Sequence, residues 1–276
     1  MEIWHRIAIN SGKDAIFYNT ITSIGIRYKS QELPGGKSKL IFFDIAESDP
    51  YWTEISKLIA TYGASDIADT FFEDKEVRNA EWLRLVPTFE QGYPQPKLHW
   101  PLKQLSFEII CSSCALRQQI SNMRIIKEPN LGKKSFMSLI WCGEIFCTSE
   151  VFESLGAIGA KGYEAWDVLL HKSEQPSSKV KQLYVPNIAH PGLIVGEELQ
   201  SVKCPTCGTV KYYPHMKGAM QINRNALLSG LDFMLTSEWF GSGYIAFREI
   251  LISNRIAQLI LDKAWQGSRL KVVEVV

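Results

Sequence analysis

The chain has 276 residues, a formal net charge of +1, 46% hydrophobic and 21% charged residues, which is the make-up of a packed globule of one large or two modest domains. Lysine and arginine are scattered rather than gathered into a run or one basic helix face, which argues against nucleic acid as the main partner. The start of the chain, Met1, Glu2, Ile3, Trp4, His5, lacks the basic and apolar succession of a secretory signal, and no apolar stretch approaches the ~20 residues of a membrane span; a cytoplasmic protein is the expectation.

In chain order, Ala15, Ile16, Phe17 and Tyr18 read as an aromatic strand, and Lys39 to Asp44 as another. Leu33, Pro34, Gly35 and Gly36 form a turn between them. Asp49 and Pro50 open a helix whose Trp52, Ile55, Leu58 and Ile59 make one apolar stripe, and Gly63 stops it. Residues 81–87 read as a strand leading into Gly92, Tyr93, Pro94, Gln95 and Pro96, where prolines and glycine exclude regular structure. That segment is taken as the junction between an N-terminal α/β region, 1–96, and a second region, 97–276. A further loop is expected over residues 174–178.

The later part carries a weak internal repeat. Residues 144–150 read as a strand and a cap, followed by a helix through Val151, Phe152 and Leu155, glycines 156, 159 and 162, and a strand over 163–170. Residues 249–276 repeat the order: strand, serine-capped helix through Ile256, Leu259 and Ile260, Gly267, strand.

Two Cys-x-x-Cys pairs carry the chemistry. A tight turn with two thiolates suits tetrahedral zinc, which takes Zn–S bonds of ~2.3 Å. Cys204, Pro205, Thr206, Cys207 and Gly208 lie between strand-like flanks, with the glycine free to take the positive φ of a zinc knuckle. Cys111 and Cys114 also follow an extended apolar run, but Ala115 stands where a knuckle prefers glycine. Buried free thiols, disulfides and a redox pair are weaker readings of two such pairs in a cytoplasmic setting. The expectation is one structural zinc site of Cys111, Cys114, Cys204 and Cys207, in a ribbon split by an insertion over residues 115–203. Four thiolates fill the coordination sphere, so the zinc is expected to hold structure and not to catalyse. Cys142 and Cys147, in an apolar stretch, read as core thiols.

No catalytic residue is assigned. His5, His99, His171, His190 and His215 form no metal-binding motif, although His215, close behind the second knuckle, is a conceivable substitute ligand. Asp66, Asp69, Glu73 and Asp74 read as a solvated stretch. Gly241, Ser242 and Gly243 read as a plain turn before an anion cradle. The expected fold class is α+β, with mixed sheets, few helices, a split zinc ribbon and a repeated strand-helix-strand unit.

On Gly92 to Pro96, the two cysteine pairs with Pro205 and Gly208, residues 236–241 (Thr236, Ser237, Glu238, Trp239, Phe240, Gly241) and the last strand-helix-strand, the chain resembles the double-CXXCG-motif proteins, bacterial proteins associated with immunity to toxins. The resemblance covers the chain from about Trp82 onward and departs at Ala115, where the doubled pattern places glycine. It implies a non-catalytic protein that binds and neutralises a cognate toxin. Such a role needs exposed aromatic anchors; Trp239, Phe240 and Tyr244 are candidates, with core packing the plainer reading. The alternative class is a zinc-ribbon nucleic-acid-binding or regulatory module, for which Lys203, Lys211 and Lys217 are the nearby cations.

Overall fold

A computed structural model describes residues 1–97, 105–192 and 199–276, and shows a mixed α+β chain, mostly strand with few helices. It divides into two compact units: residues 1–73 joined by Met216–Gly218, and the rest. The division therefore falls after Glu73 and not at residue 96, because the strand Trp82–Pro87 hydrogen-bonds into the second unit's six-stranded sheet.

In the first unit, strands Lys29–Glu32, Lys39–Ala46, Glu2–Asn10 and Ser65–Phe71 form one antiparallel sheet in that spatial order. Ile7, Ile9, Ile41, Phe43 and Ile45 alternate onto its buried face. Residues 15–18 do not form the expected strand: Ala15–Ser23 is a helix that adds Phe17 and Ile21 to the core. Their i, i+4 spacing, worth about 1.5–3 kcal/mol per buried side chain, overrides the β preference of the aromatics. The helix Trp52–Tyr62 ends at Gly63 (φ 60°), as its stripe and stop predict. His5 is buried against the Trp52 ring and lies 2.8 Å from Asp66 and 3.1 Å from Glu47. Asp66 and Glu47 are thus partners of a core histidine. Thr70 Oγ1 donates to the Met216 carbonyl and accepts from Gly218 N–H, holding Met216–Gly218 in this unit.

The second unit contains one structural theme twice. The copies share one order of elements, a leading strand, a Cys-x-x-Cys hairpin, a short strand, two more strands, a helix and a last strand, to which the second adds the short strands Ile188–Ala189 and Trp239–Phe240 and a 3-10 turn at Arg224–Ala226. In the first copy these are Trp82–Pro87, the hairpin Phe107–Cys111 with Leu116–Gln119, Arg124–Ile125, Phe136–Ser138, Ile145–Cys147, Ser149–Ala157 and Glu164–Leu170. In the second they are Pro176–Tyr184, the hairpin Ser201–Lys203 with Val210–Tyr212, Met220–Ile222, Phe233–Thr236, Ile250–Ser253, Asn254–Asp262 and Ser268–Val275. The leading strands are exchanged: Pro176–Tyr184 completes the first copy's sheet and Trp82–Pro87 the second's. In both sheets the leading strand lies antiparallel between the strands before and after the helix, and the short strand runs parallel to the last strand. This extends the strand-helix-strand repeat to the cysteine hairpins. It also corrects the loop expected at 174–178, since Pro176 already begins the exchanged strand.

The correspondence reaches single residues. The helices start from Thr148 (φ −67°, ψ 160°) and Ser253 (φ −68°, ψ 159°), and neither side chain caps its helix. Serine capping is therefore corrected: Ser253 Oγ instead donates to Asp232 at 2.7 Å. Gly162 (φ 96°) lies where a Cβ would fall 2.5 Å from Phe233 O, and Gly267 (φ 97°) where one would fall 2.0 Å from Phe136 O. Each copy's post-helix glycine thus presses against the other copy, at a distance only glycine permits.

Candidate metal centre

The two hairpins bring their cysteines to one point. Cys111 Sγ lies 3.9 Å from Cys204 Sγ, and Cys114 Sγ lies 3.7 Å from Cys207 Sγ. All four sulfurs fall within 4.8 Å of one another. A tetrahedron with metal–sulfur bonds of ~2.3 Å has edges of about 3.8 Å, so the shorter separations match a four-thiolate metal site, and a disulfide at ~2.05 Å is excluded. Each contact joins equivalent cysteines 93 positions apart, and Thr206 Oγ1 donates to Ser113 Oγ at 2.8 Å across the same interval. The site is therefore built as two matching halves, one from each copy, and the expected insertion, 115–203, holds most of the first copy together with the leading strand of the second.

Local chemistry explains both turns. In the second, Gly208 takes φ 75°, its N–H donates to Cys204 O, and Cys204 N–H donates to Thr209 O. In the first, Ala115 takes φ 57° at the corresponding place. The departure from glycine is thus a change of residue without a change of backbone. Ala115 is fully buried. We expect Ala115→Gly to keep the metal and fall within about 1 kcal/mol of the parent, relief of the left-handed strain offsetting the lost methyl. Ala115→Val is expected to lose roughly 2–3 kcal/mol through strain and overpacking. Urea midpoints check both; equal stability of the two variants would refute the assigned backbone.

Cys111, Cys114 and Cys204 are buried and Cys207 is exposed, with Leu116 and Trp239 packed around them. Burial pushes the Cys114 thiol up to about 12. Hydrogen bonds from Thr209, side chain and then backbone, pull Cys207 down to about 6. Backbone N–H groups of Cys207 and Thr206 lower Cys204. The second knuckle thus shifts its sulfurs toward the thiolate, the form a metal binds.

Lys211 is buried, and its ammonium donates to the carbonyls of Cys114 (3.0 Å), Gly243 (2.6 Å) and Ile245 (3.0 Å). It fastens the first knuckle to the turn at 241–243, where Gly241 (φ 112°) leaves no room for a Cβ beside Ile245 O. All three of its protons are spent on carbonyls. Lys217 pairs with Glu47 in the first unit. Lys203 is exposed.

The remaining expected residues fall outside the cluster. Cys147 and Cys142 are buried, and Cys142 Sγ donates to Glu144 at 2.5 Å. His215 is not in the group of sulfurs, and its carbonyl accepts from Arg84; His99 lies outside the described residues. Phe240 is fully buried, Trp239 packs under the Arg248 guanidinium at 4.5 Å, and Tyr244 is exposed. Among the described residues no helix is long and apolar enough to cross a membrane. Comparison with family models, curated proteins and solved structures finds no match.

Proposed function

We propose that this chain is a non-catalytic intracellular immunity protein, stapled by one structural zinc ion, that binds and neutralises a cognate bacterial toxin. The observation that carries the reading is the closure of two equivalent Cys-x-x-Cys knuckles on a single four-sulfur point. This doubled motif is what the chain shares with the double-CXXCG proteins, and the glycine-like turn at Ala115 supplies the half of the pattern that the residue type breaks.

Cys111, Cys114, Cys204 and Cys207 would hold the metal. Zinc suits four thiolates and, when bound, contributes folding energy; four sulfur ligands leave no coordination position for a reacting water. The chain's own part is to fix the knuckles, through Lys211 on the Cys114 carbonyl and the packing of Trp239. The hairpins carry the exposed apolar side chains Ile110 and Val202 beside the ligands, and Tyr244 is exposed on the connection 237–249. These are the anchors a partner surface would bury.

Nucleic-acid binding has less support, because Lys211 and Lys217 are engaged within the protein. Co-expression with toxins encoded beside this gene tests the proposal. Restored growth with an isolable complex of the two proteins is expected; toxicity that no adjacent toxin loses on co-expression would overturn it.

A further inference from the structure

The chain has six cysteines, and Cys207 alone of them is exposed. Cys142 and Cys147 stand apart from the four-sulfur group. Burial pushes both of their thiols up, and the Cys142 proton is also held by Glu144, so neither is a ready nucleophile. Cys111, Cys114 and Cys204 are ligands of the candidate centre but are buried. A small solute that reaches this centre from water therefore meets Cys207 first.

The fold also gives Cys207 a nearby second thiol. Equivalent cysteines meet in two pairs across the knuckles: Cys207 and Cys114 are 3.7 Å apart, and Cys204 and Cys111 are 3.9 Å apart. The residues just before the closer pair are tied as well, because Thr206 Oγ1 donates to Ser113 Oγ at 2.8 Å. The exposed sulfur is thus fixed against a buried one of the other copy.

Two thiolates in contact can reduce a peroxide as well as hold a metal. The Cys207 thiolate gives two electrons to hydrogen peroxide: an S–O bond forms, the O–O bond breaks and hydroxide leaves. The Cys114 thiolate then attacks the Cys207 sulfur, so that an S–S bond forms, the S–O bond breaks and a second hydroxide leaves. Two protons convert the hydroxides to water. The balance is two thiolates, two protons and one peroxide giving one disulfide and two waters. Cys111 and Cys204 then remain as ligands, half the set that a structural zinc requires.

We infer that the four-cysteine centre is a peroxide-sensitive clasp, in which Cys207 is oxidised first, closes onto Cys114 as a disulfide and so releases the metal. The new bond joins the same two knuckles that the metal joined, and the copies stay tied while the metal is lost. The inference rests on the zinc reading of the centre and not on the toxin partner.

The test adds hydrogen peroxide stepwise, up to one equivalent, to the full chain as purified with its zinc. Released zinc is followed with a chromogenic chelator against a peroxide-free control, and the thiols are mapped by denaturing alkylation and mass spectrometry. Zinc is expected to be lost in step with one disulfide, between Cys114 and Cys207, while Cys142 and Cys147 stay free thiols; a thiol reductant with added zinc should restore the centre. Cys142→Ala combined with Cys147→Ala should release zinc at the parent's rate. Zinc retained at one equivalent, a first disulfide that omits Cys207 or pairs it with Cys204, or slower release in the double variant overturns the inference. If the double variant fails to fold, the parent's disulfide map decides alone. A chain purified without zinc overturns the metal reading together with the clasp, whereas a zinc-bearing chain that peroxide leaves intact overturns the clasp alone.

Discussion

Substituting Cys204 with serine is expected to release the metal and to melt the region where the two copies meet. Cys204 is buried and 3.9 Å from its counterpart Cys111. Removing one ligand leaves three thiols in a pocket shaped for four. Apparent binding free energies of structural zinc, about 10–16 kcal/mol, match or exceed the ~5–15 kcal/mol stability of a whole domain. The loss should therefore be read as a fall of more than about 10 °C in the melting temperature of the second unit. A chelator should produce the same fall in the parent protein and none further in the variant. Cys147→Ala serves as the control, because that thiol is buried away from the group: it should keep the metal and cost no more than an ordinary core truncation. Unchanged metal content in Cys204→Ser would remove the basis for the site.

Arg84→Ala is expected to destabilise the second unit by about 3–5 kcal/mol, the effect of stranding one partner of a buried ion pair. Arg84 lies in an interior strand of the six-stranded sheet and is the largest fully buried side chain among the described residues. Its loss strands Glu249, 9% exposed, and removes the donor to His215 O. The double substitution Arg84→Met with Glu249→Leu should recover most of that loss, since apolar replacements remove both charges together. Denaturant midpoints at constant slope measure both effects. A cost below about 1 kcal/mol for Arg84→Ala would mean that the pair is hydrated and open.

What the residues disclose in advance is local. The helix Trp52–Tyr62 has an apolar stripe and a glycine stop, each acting within a few positions, and it forms as its pattern dictates. The cysteine pairs are legible because ligand spacing is fixed by a single turn. Ala115 was harder: an alanine carries no signal for φ 57°, and the turn holds it there through the packing around the sulfurs. The helix Ala15–Ser23 was hidden because its aromatics favour strands, and only burial of Phe17 and Ile21 on the first sheet decides between the two.

The least visible feature is the exchange of leading strands. Trp82–Pro87 and Pro176–Tyr184 read as ordinary strands, and nothing local in either says which sheet it completes. That choice is made by partners far along the chain, which also explains why a boundary drawn from the prolines at 94 and 96 missed the division after Glu73. Arg84 and Lys211 are hard to place from sequence for a related reason. Each is a charge in a strand, which alone suggests a solvated face. Each is instead buried, because carbonyls or a carboxylate from distant segments satisfy it.

The exchange gives the candidate metal site its mechanical sense. The strands interlock the two sheets, and the hairpins that follow them converge on four sulfurs. Each copy is thus tied to the other by hydrogen bonds, by the glycine contacts at Gly162 and Gly267, and by the meeting of their cysteines.

X-ray absorption at the zinc edge, with metal analysis of the protein as purified, tests the four-thiolate centre most directly. The account predicts one zinc per chain surrounded by four sulfurs at about 2.3 Å, with no oxygen or nitrogen neighbour. A chain without zinc, or a zinc whose shell includes a light atom in place of one sulfur, would contradict it.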